Sequence, residues 1–244
     1  MILRCVDFET TGEPSEENPQ AVCEVGFCDV VFENGVASIG MPWSMLVDPG
    51  RPMPADARAV HHISDDDVAM CPPATTAFMR LTGNAGGVPK ADYYCAHNAD
   101  YELAFFKGGE TPWICTFKVA VRLWPDEQKH SLQYLRYALA LDIDQDVGLP
   151  AHRAGPDAYV GAALMAAILN RGANQVDLAT MVRWSKGPAL FQRLSFGKHR
   201  GKRFDEVPLD YLYWIQDKSD MSADIKANAK HWIKQRAINN GSST

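Results

Sequence analysis

The chain has 244 residues, 46% of them hydrophobic and 22% charged, enough apolar material to bury one medium domain, or one domain with a small appendage, and too much for extensive disorder. Its net charge of −6 argues against a protein that coats nucleic acid by bulk electrostatics, because phosphates repel an acidic surface, but it allows an enzyme with a local basic groove. The N-terminus, Met1-Ile2-Leu3-Arg4-Cys5-Val6-Asp7, is charged too early for a signal peptide, and no apolar run reaches the ~20 residues of a membrane span, so a cytoplasmic protein without a membrane partner is expected.

Ile2 to Phe8 is a short apolar run of strand formers ending in acid, which suits a buried strand. Ala21 to Phe32 and Trp43 to Val47 read as further strands, closed by Glu33-Asn34-Gly35 and Asp48-Pro49-Gly50, and together they suggest an antiparallel meander. Ser64, followed by three aspartates, predicts a helix start. Tyr93 to Ala96 and Trp113 to Cys115 predict two more strands, with Asn98 placed to cap a helix from Ala99 towards Lys107. Phe117 to Trp124, Ser131 to Leu139 and Asp157 to Leu169 read as helices. The six cysteines, Cys5, Cys23, Cys28, Cys71, Cys95 and Cys115, include no C-x-x-C pair and fit buried reduced thiols. The expected class is α/β, a mixed sheet with helices on its faces. The composition shifts after about Arg171, and a small module is expected at 188–238 beside a main domain at 1–175, followed by a frayed tail at Gly241 to Thr244.

Asp7 and Glu9 lie two apart on the first strand, so both carboxylates leave one face. Facing carboxylates repel unless a proton or cation sits between them, and hard divalent ions take oxygen ligands. Alone, an Asp-x-Glu also fits a solvated turn. Asp100 and Glu102 open the helix after Asn98, where they also suit the helix dipole. Asp157 opens an almost wholly apolar helix, behind His152 in a loop, and a buried acid needs a partner.

Asp7-Phe8-Glu9-Thr10-Thr11-Gly12, His97-Asn98-Ala99-Asp100-Tyr101-Glu102 and His152-Arg153-Ala154-Gly155-Pro156-Asp157 together resemble the three motifs of the DnaQ-like, or DEDDh, 3′→5′ exonucleases. Val60-His61-His62-Ile63-Ser64 resembles a fourth stretch of that family, and the likeness runs from residue 1 to about 170. It implies a ribonuclease H-like sheet and two divalent ions, Mg²⁺ with Mn²⁺ able to substitute, about 4 Å apart. Asp7 would bridge them, Glu9 and Asp157 would complete the first site, and Glu102 would act on the second. Histidine side chains exchange protons near neutrality, and His152 is the expected general base. Backbone amides from Phe8 to Thr10 would hold the terminal 3′ hydroxyl, while Asn98 is either a substrate contact or only a helix cap. The family usually carries Asp where this chain has Glu102; Asp100 is the alternative if the register differs.

Between Lys186 and Arg203 stand six Lys or Arg and no acid. Phe196 to Lys202 and Asp210 to Trp214 resemble the C-terminal element of a bacterial DNA exonuclease of this family. Lys198, Arg200 and Lys202, interleaved with Phe196 and Phe204, suit a phosphate backbone with stacked bases. The expected partner is a nucleic-acid 3′ end, single-stranded DNA before RNA. An exoribonuclease of the same fold, a proofreading subunit and a non-catalytic binder with a decayed metal site are the alternatives, because the chemistry does not itself select the sugar.

Overall fold

The computed structural model describes residues 1–14, 19–171, 176–218 and 220–241. Strands β1 (Ile2–Thr10), β2 (Val22–Glu33), β3 (Val36–Ile39) and β4 (Trp43–Leu46) come first, then helices α1 (Ala55–His61), α2 (Asp65–Val68) and α3 (Ala74–Leu81). Next come β5 (Tyr93–Ala96), α4 (Ala99–Phe105), β6 (Trp113–Cys115), α5 (Thr116–Leu123) and α6 (Leu132–Ala138). The long helix α7 (Ala154–Arg171) is followed by α8 (Leu178–Ser185), α9 (Leu209–Lys218) and α10 (Ala223–Gly241). No helix among the described residues is long and apolar enough to cross a membrane.

The sheet is mixed and runs β3-β2-β1-β5-β6, with β4 also paired to β2. β1 is antiparallel to β2 and parallel to β5, and β5 is parallel to β6. The early strands are therefore not a simple meander: β3 and β4 both pair with β2, at opposite ends of that strand. The cause is the length of β2, whose twelve residues outrun either short partner.

β1 is central and covered on both faces. Leu3 and Cys5 join the apolar cluster containing Ala158, Ala162 and Met165 of α7, whereas Val6 and Phe8 join the opposite one with Leu81 and Phe106. The period of two then places Asp7 and Glu9 on the α7 side. Arg4 is fully buried on the other side, where its Nε and Nη2 each lie 2.7 Å from a carboxylate oxygen of Asp29.

Several boundaries differ from the sequence reading. α7 begins at Ala154, so Asp157 lies within the first turn rather than opening the helix. Ser64 caps α2 through a capping box with Asp67, but that helix ends at Val68. Asn98 occupies the N-cap of α4 in a left-handed conformation (φ 93°) without a side-chain cap bond. The sequence from Asp210 to about Arg236, which reads as one helical pattern, holds two helices, α9 and α10, and α1, α3 and α8 had no sequence counterpart. Leu194, Phe204, Val207, Leu212, Ile215 and Ala229 form a separate apolar cluster in this part of the chain. Residues 172–175, including the expected domain end, and 242–244 of the expected tail lie outside the described residues.

Candidate active site

β5 pairs only with Leu3 to Cys5 of β1. Beyond Cys5 the two parallel strands part, and the end of β1 carries Asp7 and Glu9 into the gap. α7 packs across this end and brings Asp157 to them. One ligand atom each from Asp7, Glu9 and Asp157 lies within 4.8 Å of the others. Sequence separation of about 150 residues is thus closed by one helix-on-strand contact.

Glu24 of β2 faces Glu9 in register and explains how α7 is held. Its carboxylate accepts from Arg153 Nε at 2.8 Å, Arg153 Nη2 at 3.1 Å and the Ala154 amide at 3.1 Å. The first residues of α7 are therefore clamped to the sheet by a bidentate, charge-assisted contact. Sequence reasoning missed Glu24, although a lone acid in the apolar run Val22 to Phe27 was the available signal.

Asp157 is oriented from both sides. Gln133 of α6 donates to Oδ1 at 2.6 Å, and the His152 backbone amide donates to Oδ2 at 2.6 Å. His152 itself has a positive φ of 61° and an exposed side chain. The left-handed backbone turns its amide towards Asp157 and leaves its ring in solvent. The other motif histidine, His97, is different: its ring nitrogens meet Thr116 Oγ1 at 3.1 Å and the His130 carbonyl at 2.7 Å. Burial lowers its pKa to about 4, so it stays neutral and structural.

The second acidic segment is decided by helix geometry. Asp100 and Glu102 are two apart on α4, about 200° around the axis, and cannot face the same way. Asp100 points outward and pairs with Lys118 at 2.7 Å. Glu102 points inward, 4% exposed, and its Oε2 has no hydrogen-bond partner. It lies outside the 4.8 Å trio, yet its charge acts on Asp7.

The proton affinities report the crowding. Burial, then the charge of Asp157, pushes Asp7 well above the ordinary carboxylate range. Glu9 is pushed up to about 8 by burial, then by Asp157 and Glu24. Glu102 is likewise pushed up to about 8, mainly by burial. Asp157 is raised by burial, although the His152 and Gln133 hydrogen bonds work against the shift. Buried mutually repelling carboxylates, one with an orphaned oxygen, fit hard divalent cations as the missing counter-charge.

A stability prediction follows directly. Carboxyls of the unfolded chain titrate near 4, so the folded protein in EDTA keeps protons on Glu9 and Glu102 that the unfolded chain has lost. This stabilisation is complete below about pH 4 and is lost as pH rises through about 8. Burial lowers the His61 and His97 pKa values, which places their contribution at more acidic pH. The melting temperature in EDTA should therefore fall between about pH 7 and about pH 8, and a divalent ion should reverse the fall. A flat or rising profile over that interval would contradict the crowding.

The remaining expected contacts divide sharply. The Phe8 ring is buried against Phe78 and Phe106, at centroid distances of 5.6 and 6.4 Å, and only its backbone is available to a ligand. Thr10 is 4% exposed and its hydroxyl meets Tyr101 Oη and the Gly12 carbonyl. His61, from the fourth motif, fixes the same strand end: Nδ1 accepts from the Ile63 amide, so Nε2 donates to the Thr10 carbonyl at 3.2 Å. Asn98 is exposed beside α4. Lys198, Arg200 and Lys202 are exposed on the loop around a 3-10 turn at Gly197–His199. They do not join the carboxylates. Phe204 is fully buried in the C-terminal cluster and cannot stack on a base, which corrects its reading as an interleaved surface aromatic.

Carboxylates delivered by β1, α4 and α7 to the parting strands of the mixed sheet form an oxygen-rich site of the kind that can hold divalent ions. The RNase T exonuclease family profile matches residues 5–165. Exodeoxyribonuclease 10 of Escherichia coli (strain K12) is 31% identical over 237 residues, spanning 96% of this chain and 99% of the relative. A solved structure of Exonuclease X in complex with 5′ overhanging duplex DNA superposes with a TM-score of 0.61 at 31% identity, covering 75% of this chain and 99% of that one. Cell-death related nuclease 4 shares the fold, with a TM-score of 0.53 at 15% identity over 70% of this chain and 64% of that chain. The chain belongs to the DnaQ-like (DEDDh) exonuclease family and is a 3′→5′ exonuclease. Membership of that family implies divalent metal ions.

Proposed function

We propose that this exonuclease removes nucleoside 5′-monophosphates from DNA 3′ ends with Mg²⁺, single strands being preferred, in repair or turnover of DNA in the cytoplasm. The carrying observation is the convergence of Asp7, Glu9 and Asp157 within 4.8 Å, with Glu102 buried alongside. End-to-end similarity to Exodeoxyribonuclease 10 supports DNA as substrate. Residues 1–175 are taken as the exonuclease domain and 188–238 as a basic module that contacts nucleic acid through Lys198, Arg200 and Lys202; the separate apolar cluster there supports this division.

In the proposed mechanism Asp7, Glu9, Asp157 and Glu102 would hold divalent ions, whose charge would activate water and stabilise the leaving 3′ oxygen. Backbone groups of Phe8 to Thr10, at the strand edge that β5 leaves uncovered, position the terminal 3′ hydroxyl. The exposed ring of His152 accepts the proton of the attacking water, while its amide keeps Asp157 oriented. The phosphorus–oxygen bond to the penultimate 3′ oxygen breaks as the new bond to water forms. The leaving oxygen is protonated from solvent.

The test is incubation with 3′- and 5′-labelled single-stranded DNA and RNA, in Mg²⁺, Mn²⁺ or EDTA. A metal-dependent ladder shortening from the 3′ end, faster on DNA, is expected; faster RNA cleavage would reassign the substrate. Glu102→Asp tests the departure from the family pattern. It keeps the charge and should preserve or raise the rate, and an inactive variant beside active wild type would show a site adapted to the longer side chain.

A further inference from the structure

The loop around Gly197–His199 and helix α9 build an aromatic feature outside the carboxylate centre. Tyr211 and Trp214, three apart on α9 and so on one helix face, stack with centroids 5.2 Å apart and planes at 28°. Lys198 Nζ sits 5.3 Å from the Tyr211 ring centroid, and His199 meets that ring edge-on at 4.7 Å. The loop approaches this closely because residue 197 is glycine. Its φ is +64°, and a Cβ there would stand 2.2 Å from Tyr211 Oη. Trp214 nevertheless remains 42% exposed. With Lys198, Asp210 and Tyr211 it lines a cavity of about 490 Å³. Asp210 is the one acid there, and its Oδ1 accepts from the Tyr211 amide at 2.8 Å.

A second opening lies against the same basic loop. A cleft of about 630 Å³ is lined by Phe117, Lys129 and His130 together with Phe191, Arg200 and Gly201. Two acids line this cleft: Asp126 pairs with Arg193 at 2.9 Å, and Glu127 accepts from Tyr134 Oη at 3.1 Å. The segment ending at His130 runs on into α6, whose Gln133 contacts Asp157. Arg200, at the cleft, and Lys198, beside Tyr211, belong to one loop. The basic loop thus places cations beside both the cleft and the aromatic pair.

We propose that Trp214 and Tyr211 form a base-stacking platform that holds a single-stranded stretch of the substrate upstream of its 3′ end, with Lys198 and Arg200 on the backbone. The occupant is single-stranded because only unpaired bases expose their faces, and the six basic residues between Lys186 and Arg203 match its charge. This rests on the nucleic-acid exonuclease reading and adds a second point of attachment to it. Tethering at both points raises the effective concentration of the 3′ end at the carboxylates.

The test is fluorescence anisotropy in EDTA with labelled oligothymidylate of about 20 nucleotides, longer than one ~4–16-nucleotide site. Trp214→Ala should weaken binding about tenfold, the loss of one stacked base, and Trp214→Phe should restore most of it. Tyr213→Ala removes a neighbouring aromatic that is 49% exposed but outside the stack, and should bind as wild type. Unchanged affinity in Trp214→Ala, an equal loss in Tyr213→Ala, or competition by blunt duplex as strong as by single strand would overturn the platform. Hydrolysis of the same strand in Mn²⁺ is read separately: intact binding without hydrolysis would defeat the exonuclease reading alone.

Discussion

Asp7→Asn is expected to lower kcat by at least ~10³-fold, about 4 kcal/mol of transition-state stabilisation, while raising the melting temperature in EDTA. The two effects share one cause. Asp7 carries a charge that burial, Asp157, Glu9 and Glu102 all disfavour, which is why its carboxyl is pushed well above the ordinary range. Asparagine keeps the shape and one oxygen but is neutral without taking up a proton, so the metal-free fold is relieved of the cost of protonating or charging this position, while the proposed cation site loses a ligand. The check is steady-state hydrolysis together with thermal melts in EDTA and in Mn²⁺. Wild type should gain more from Mn²⁺ than the variant, because only tighter binding to the folded state raises stability. Retained activity, or a lower melting temperature in EDTA, would remove Asp7 from the metal site.

Gly26→Ala should reduce both activity and stability, the opposite coupling. Gly26 faces Asp7 across the β1–β2 pair. A Cβ at Gly26 would stand 2.2 Å from the Ala154 carbonyl carbon and oxygen and 2.6 Å from the Gly155 amide nitrogen. These are backbone atoms of the first turn of α7, so no side chain can move aside. The helix start must withdraw by about 1 Å, against the Glu24–Arg153 clamp, and Asp157 moves with it. An overpacking cost of about 1–3 kcal/mol is expected, with a rate loss on the order of 100-fold from the misplaced carboxylate. Denaturant melts and hydrolysis rates measure both. A variant with wild-type stability would mean that α7 is not seated on β2 as described.

Asp7 and Glu9 illustrate what local pattern can specify. A strand places residues two apart on one face by chain geometry alone, and the two acids emerge together beside α7 as their spacing requires. Ser64 and its following aspartates were legible for the same reason, since a capping box is completed within four residues. The three acidic segments could be ordered along the chain, and their resemblance to one family carried their combination. Each part depends on neighbours in sequence.

Only the tertiary structure decided the rest, because it depends on which faces meet across the fold. Asp100 and Glu102 are equally good acids in the first turn of α4; Lys118 takes the first outward, and packing sends the second inward. Phe204 and Trp214 are both aromatics near the basic loop, yet one is wholly buried and the other stands in solvent. Burial is set by α10 and the C-terminal cluster, not by flanking residues. Glu24 and Gly26 read as ordinary members of an apolar strand until α7 is laid across them. Their roles arise from contacts about 130 residues away, where a carboxylate clamps a helix start and a missing Cβ lets it approach. The sequence by itself determined the chemistry available at the end of β1; the packing of α4 and α7 determined which carboxylates reach it.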